Sequence, residues 1–192
     1  ALTVARVLGI PDKISFKALS EYKGSWRRFE IFELKTKNYK PYILVSDYGH
    51  HPTEVRVTVQ AAREKWPKKK IWLIFQPHQY QRTHYLWTDF IRVLSKLPVQ
   101  KLILTDIYDV AGREDKVIRT KVSSEKLVKA VENCKLKIEN YPVFYIPTLS
   151  TVESYLKKNL RGGEVVMVMG AGDIYGLTVS LTGRAPKRKM KP

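Results

Sequence analysis

The sequence has almost no cysteine and no long apolar run. Its one cysteine, Cys134, excludes an internal disulfide framework and is typical of proteins from a reducing cytoplasm. No stretch approaches the roughly 20 apolar residues that a membrane-spanning helix needs, and the chain does not open with a charged and then apolar signal peptide. We therefore expect a cytoplasmic protein without a membrane segment.

Acidic residues are also scarce, at 18 against 35 Lys and Arg, which gives a formal net charge of +17. Such an excess favours polyanionic partners, so a basic nucleic-acid-binding α/β domain is one alternative. The basic residues are spread along the chain, apart from dense clusters at 68–70 and 187–191. Positive charge equally suits phosphorylated or carboxylated small substrates, so charge alone does not decide between these classes.

Two familiar catalytic motifs are missing. The sequence has no Gly-x-x-x-x-Gly-Lys-Ser/Thr phosphate loop and no Gly-x-Ser-x-Gly nucleophile elbow. Gly170-Ala171-Gly172-Asp173 is a Gly-rich turn, but alone it is only half of a dinucleotide fingerprint.

Strand-like and helix-like segments alternate along most of the chain. Short apolar runs typical of strands lie at 42–46, 71–75, 102–104, 143–146 and 165–168. Between them apolar residues recur at helical spacing, and Ser150 with Glu153 predicts a capping box that opens one helix. Because alternating strands and helices form parallel sheets through right-handed crossovers, the pattern predicts a Rossmann-like, doubly wound, mostly parallel α/β sheet.

Ionisable side chains follow two of these strands. The turn Asp47-Tyr48-Gly49-His50-His51-Pro52 follows the first, and a loop that contains His78 and Arg82 follows the second. Because the carboxyl ends of parallel strands share one edge of a sheet, we expect the two loops to face one crevice. The helix that begins near Pro52 disfavours charged imidazoles and attracts an anion, and Arg82 suits a carboxylate or phosphate. These features predict a site for a small anionic or zwitterionic ligand.

A metal site is the alternative for the same side chains. His50, His51, His78 and Asp47 are all metal-ligand types, but adjacent histidines rarely point at one ion. The prediction therefore includes no metal ligand.

Four segments resemble the C-terminal domain of the Mur ligases. They are the Asp47–Pro52 turn with the following Thr53-Glu54, the segment Phe75-Gln76-Pro77-His78 with Tyr80 and Arg82-Thr83, the segment Met169-Gly170-Ala171-Gly172-Asp173-Ile174, and the upstream Gly24-x-x-Arg27-Arg28-Phe29-Glu30. The resemblance covers nearly the whole chain in the family's order. It implies an ATP-dependent ligase of peptidoglycan synthesis, from the branch that joins L-alanine to UDP-N-acetylmuramate through an acyl phosphate. ATP and Mg²⁺ would be bound mainly by an upstream region, so we expect this chain alone to be inactive.

The resemblance also assigns residue roles. Asp47 would contact the ATP ribose and Arg28 the nucleotide, while Tyr48, His50, His78 and Arg82 would surround the amino acid and the reacting carboxylates. We expect His50 also to act as a general base.

The resemblance divides the chain into three parts as well. Residues 1–37 would be the end of the central ATP-binding domain, 38–184 the amino-acid-binding domain and 185–192 a basic, disordered tail. The partners implied are UDP-N-acetylmuramate, L-alanine and ATP, and nucleic acid is not expected.

One position departs from the family pattern. Gln79 stands where the family usually has a second arginine, which removes one anion contact and leaves the amino-acid substrate open. The related ligase that recycles murein tripeptide is the near alternative, although it has Phe-Ala in place of Tyr48-Gly49. A pseudo-enzyme or interaction domain is a further alternative.

Overall fold

The computed structural model describes residues 1–22, 24–35, 40–110, 115–134 and 141–183. The predicted domain boundary near residues 37 and 38 and the predicted tail at 185–192 lie outside these residues. The division into domains therefore stays a prediction.

A six-stranded sheet forms the centre of the described structure, with the strand order β1-β2-β6-β3-β4-β5. Its strands are β1 (Glu30–Leu34), β2 (Tyr42–Asp47), β3 (Ile71–Phe75), β4 (Lys101–Leu104), β5 (Val143–Tyr145) and β6 (Val165–Met169). In the spatial order β2-β6-β3-β4-β5, each strand runs parallel to the next. Strand β1 pairs antiparallel with β2 and forms one edge of the sheet. This arrangement confirms the predicted mostly parallel α/β sheet.

Helices cover both faces of the sheet. The described helices are α1 (Leu2–Val7), α2 (Asp12–Glu21), α3 (Pro52–Lys65), α4 (Tyr80–Tyr85), α5 (Trp87–Leu94), α6 (Lys116–Lys121), α7 (Ser124–Glu132), α8 (Leu149–Asn159) and α9 (Tyr175–Thr182). Of these, α3, α5 and α7 pack on one face of the sheet, and α8 and α9 pack on the other. No helix in the described part of the chain is long and apolar enough to cross a membrane.

Side-chain alternation along the strands separates two cores. On β6, Val165 and Met167 pack in the cluster that includes residues of α3, α5 and α7, whereas Val166 and Val168 pack in the cluster that includes residues of α8 and α9. A strand buried on both faces must be apolar at every position, which explains the continuous runs in the sequence. The chain is therefore doubly wound, as predicted.

The predicted capping box at the start of α8 is wrong. The N-cap is Thr148, whose side chain accepts a hydrogen bond from the Thr151 N–H at 3.2 Å, and Ser150 lies inside the helix. Glu153 instead accepts hydrogen bonds from Lys157 at 2.5 Å and Ser180 at 2.7 Å. Thr148, Ser150 and Thr151 are all residue types that can cap a helix, so their order alone does not fix which of them does.

Candidate functional site

Three turns meet at the carboxyl edge of the sheet because β2, β6 and β3 are neighbours. They follow Asp47, Phe75 and Met169 at the ends of these strands. The ring centroid of His50 lies 5.3 Å from that of Tyr48 and 5.5 Å from that of His78. The structure therefore brings side chains from the two predicted loops into one crevice.

His50 is held by the backbone of its own turn. Its Nδ1 lies 3.0 Å from the carbonyl oxygen of Tyr48 and 3.6 Å from a carboxylate oxygen of Glu54. The carbonyl oxygen only accepts hydrogen bonds, so in the neutral ring Nδ1 carries the proton and Nε2 has a lone pair. About a fifth of the side chain is exposed. The ring is therefore arranged to accept a hydrogen bond or a proton at Nε2.

His78 is held in the opposite way. The Arg82 guanidinium lies 3.2 Å from its Nδ1, and because a guanidinium only donates, Nδ1 accepts and the proton lies on Nε2. The ring stacks on Tyr108 at a centroid distance of 5.4 Å. Burial, with smaller contributions from Arg82 and His50, lowers the pKa of His78 to about 4. His78 is therefore neutral at physiological pH and presents an N–H donor.

His51 has a structural role at the start of α3. Its Nδ1 accepts from the Thr53 N–H at 3.2 Å, and its own N–H donates to Glu54 at 3.0 Å, which completes a capping box. Pro52 is the first helical residue, as predicted. Among the described residues, no three His, Cys, Asp or Glu side chains come together as a metal site.

Glu54 joins the turn to Arg28. It accepts the backbone N–H groups of His50 and His51 at 2.9 and 3.0 Å and lies 3.7 Å from the Arg28 guanidinium. Burial opposes its ionisation, but these N–H groups, with His50 and Arg28 nearby, outweigh it and lower the pKa of Glu54. The carboxylate therefore fixes the backbone beside the crevice.

Asp47 is buried and fixed by backbone donors on both oxygens. Oδ1 accepts from the Gly49 N–H at 2.7 Å and Oδ2 from the Phe29 N–H at 2.8 Å. A carboxylate has about four lone-pair positions, so Asp47 can still accept from a ligand. These bonds also tie the segment before β1 to the turn after β2.

Asp47 and Arg28 line one shallow cavity of about 440 Å³ beside α3. Half of the Arg28 side chain is exposed, and Val57 forms part of an apolar wall. A guanidinium, a carboxylate and an apolar surface fit the phosphate, ribose and base of a nucleotide, so these residues are compatible with the predicted ATP contact. That role stays a prediction.

Arg27 is the main residue that sequence reasoning missed. The doublet with Arg28 indicates surface charge, but Arg27 is only 7% exposed. Its guanidinium donates to the carbonyl oxygens of Gly170 and Gly172 and lies 4.9 Å from the ring centroid of Tyr48 and 5.1 Å from that of Tyr175. Burial lowers the pKa of Arg27, with partial compensation from neighbouring Tyr and Asp side chains. Only tertiary packing distinguishes the two arginines.

The glycine turn after β6 packs closely against Gln76, which follows β3, and Tyr108, which follows β4. A Cβ on Gly172 would lie 2.4 Å from the Tyr108 ring and 2.6 Å from Oε1 of Gln76. Gln76 is buried and joins the two turns, since its amide donates to Asp173 at 2.7 Å and accepts from the Ile174 N–H at 3.1 Å. The turn therefore supports the ring stack beneath His78 and does not form an open phosphate loop.

Gln79 begins α4 in an unusual backbone conformation. Its φ is +70°, and its N–H donates to the Tyr108 carbonyl at 2.9 Å. The loop predicted after β3 thus passes directly into a short helix, and this sharp entry places Arg82 one turn later, within reach of His78.

Comparison with known proteins identifies the family. The sequence profile described as "Mur ligase, glutamate ligase domain" matches residues 27–172. The chain belongs to the Mur ligase family. Relatives of this Mur ligase chain include UDP-N-acetylmuramate–L-alanine ligases from Nitrosomonas eutropha, 39% identical over 175 residues, and Alkaliphilus metalliredigens, 35% identical over 175 residues. Both matches cover 91% of this chain but only 35% and 34% of the relatives, so the chain spans about a third of their length.

Solved structures agree on the Mur ligase fold. A UDP-N-acetylmuramate–alanine ligase from Thermotoga maritima matches with a TM-score of 0.70 at 22% identity, over 95% of this chain and 35% of that one. A murein peptide ligase from Psychrobacter arcticus matches with a TM-score of 0.58 at 18% identity, over 87% and 31%. At these identities the likeness concerns the fold.

Proposed function

We propose that this chain is the C-terminal part of an ATP-dependent ligase that joins L-alanine to UDP-N-acetylmuramate. The crevice of Tyr48, His50, His78 and Arg82 is the observation that carries the proposal. It combines a fixed cation with one imidazole arranged to accept and one arranged to donate. A zwitterionic amino acid needs such a combination, because its carboxylate and its amine require opposite partners.

The residues of this crevice would act mainly by positioning. ATP with Mg²⁺, held largely by the rest of the protein, would activate the muramate carboxylate as an acyl phosphate. Arg82 would then hold the alanine carboxylate, His78 would donate to an oxygen atom of the reactants, and Nε2 of His50 would accept a proton from the attacking amine. A well-oriented attack alone can contribute about 7–11 kcal/mol, and one donor to the developing oxyanion about 3 kcal/mol.

Nucleotide contact by Arg28 and Asp47 would join this crevice to the ATP-binding part. The two residues line a cavity on the other side of Glu54, next to the turn that holds His50. We infer that closure of the whole protein over ATP brings this cavity and the crevice to one reaction centre. The single cysteine and the nucleotide-linked substrates support action in the cytoplasm.

L-alanine is favoured over a murein tripeptide by the relatives. The ligases from Nitrosomonas and Alkaliphilus carry the L-alanine name, and this chain has Tyr48-Gly49 where the recycling ligase has Phe-Ala. A Cβ on Gly49 would lie 2.8 Å from Oδ1 of Asp47, so an alanine there requires the Asp47 side chain or the turn to shift. Family membership likewise favours a ligase over a nucleic-acid-binding domain.

The proposal is tested with the longer protein that contains this chain. Phosphate release from ATP would be measured with UDP-N-acetylmuramate and either L-alanine or the tripeptide L-alanyl-γ-D-glutamyl-meso-diaminopimelate. We expect release that depends on L-alanine. Release supported only by the tripeptide would establish the recycling ligase instead, and no release with either would favour a pseudo-enzyme.

A further inference from the structure

A second cavity lies between α3 and α5, outside the crevice. We call it the α3–α5 groove and define its walls by Thr53, Arg56 and Gln60 on α3 and by Arg92 and Lys96 on and just after α5. Its volume is about 540 Å³, within the roughly 300–1,000 Å³ of small-molecule sites. It shares no lining residue with the cavity of Asp47 and Arg28. The proposed ligase reaction gives this groove no role.

The walls of the α3–α5 groove are strongly cationic. Arg92 pairs with Asp89 at 3.1 Å, and Asp89 is the one carboxylate among the described lining residues. No hydrogen bond or ion pair within the described chain holds the side chain of Arg56 or that of Lys96. Two cations are therefore free to bind an anion from facing walls.

The floor of the groove is apolar. It is formed by Pro52, Val93, Leu97 and Pro98, of which Pro52 and Leu97 are buried. A free inorganic anion would gain nothing from such a floor, whereas an organic anion could place a flat or apolar body on it and its charge between the cations. The groove therefore fits an amphipathic ligand.

The groove also touches the turn that orients the crevice. His51 and Thr53 line it. In the same first turn of α3, the carboxylate of Glu54 accepts a hydrogen bond from the His50 N–H. A bound ligand would therefore contact His51, the N-cap residue that follows His50, without entering the crevice.

We propose that the α3–α5 groove is a binding site for a small phosphomonoester with an apolar or aromatic body. The proposal stands independently of the ligase function, because it rests on the cavity, its two unpaired cations and its apolar floor. Phenyl phosphate is the simplest probe of this chemistry, and inorganic phosphate is its matched control without the apolar body.

The site can be tested on the 192-residue chain by amide chemical-shift titration. We expect phenyl phosphate to shift amides at 51–60 and 89–98 and to bind more tightly than inorganic phosphate. The double substitution Arg56→Gln with Lys96→Gln should weaken binding about fivefold or more, since two ionic contacts are lost. Lys13→Gln with Lys17→Gln on α2 makes the same change of net charge at a distant surface and should leave the affinity nearly unchanged.

Three results would overturn the proposal. They are shifts confined to the crevice, equal affinity for phenyl phosphate and inorganic phosphate, and equal weakening by the two double variants. All four substituted side chains are exposed, so we expect every variant to keep the fold, which the amide spectra themselves report.

Discussion

The two histidines of the crevice form hydrogen bonds of opposite direction at Nδ1. The Tyr48 carbonyl accepts from Nδ1 of His50, whereas Arg82 donates to Nδ1 of His78. The two Nε2 atoms therefore differ, one with a lone pair and one with a proton. Two imidazoles whose Nε2 atoms have opposite hydrogen-bonding roles are suited to orienting a substrate and to moving a proton.

The low pKa of His78 makes stability depend on pH. Since burial and Arg82 lower the pKa to about 4 from an ordinary 6.5, the unfolded chain binds more protons between these values. The contribution of neutral His78 to the free energy of unfolding is therefore fully present above about pH 6.5 and is lost as the pH falls towards 4. After allowance for solvent screening, we expect His78 to account for about 1–2 kcal/mol of that loss.

Urea unfolding at pH 7 and pH 4.5 measures this effect. Between pH 7 and pH 4.5, the free energy of unfolding of the His78→Gln variant should fall by about 1–2 kcal/mol less than that of the natural chain. His84→Gln removes another histidine of the same helix region and should lose as much as the natural chain. The same loss in both variants would contradict the assigned environment of His78.

Arg27 and Arg28 are adjacent but should contribute very differently to stability. Replacing Arg27 with Met leaves the Gly170 carbonyl without its buried donor and removes the contact with Tyr48, so we expect a loss of about 2–4 kcal/mol. Arg28→Met removes an exposed ion pair with Glu54 and should cost less than about 1 kcal/mol. Chemical denaturation of both variants measures the difference, and equal losses would contradict the buried role of Arg27.

At the scale of elements, the turn after β6 requires glycine at position 172, whereas the helix that follows has room for alanine at position 176. A Cβ on Gly172 would overlap the Tyr108 ring, whereas a Cβ on Gly176 within α9 meets no atom within 4 Å. Gly172→Ala should therefore cost about 2–3 kcal/mol, and Gly176→Ala should be neutral or stabilise by up to about 1 kcal/mol. Thermal unfolding compares the two, and a harmless Gly172→Ala would disprove the close packing of this turn on the His78 stack.

The parallel strands could be predicted because burial on both faces requires continuous apolar runs. The run at 165–168, for example, lies in the middle of the sheet, where both neighbours are parallel strands. The N-cap of α8 could not be predicted, since Thr148, Ser150 and Thr151 have the same chemistry. The contrast between Arg27 and Arg28 is also invisible in the sequence, because it depends on where Gly170 and Tyr48 lie in space.

At the scale of the molecule, two proposed binding regions use part of the net charge of +17. One is the crevice with Arg82 and the cavity with Arg28, which would bind the anionic groups of the proposed ligase substrates. The other is the α3–α5 groove, where no described residue forms a hydrogen bond or ion pair with the side chain of Arg56 or Lys96. Under these two proposals, small anionic ligands would account for part of the basic character that suggested nucleic acid.

The KM for L-alanine of the proposed full-length ligase tests the central claim most directly. Arg82→Gln should raise this KM about tenfold or more, because a charge-assisted hydrogen bond contributes about 1.5–3 kcal/mol. Lys129→Gln removes an exposed cation of α7 that lies 2.6 Å from Glu125, and it should leave the KM unchanged. An Arg82→Gln enzyme with natural KM and kcat for L-alanine would contradict the placement of the amino acid in this crevice.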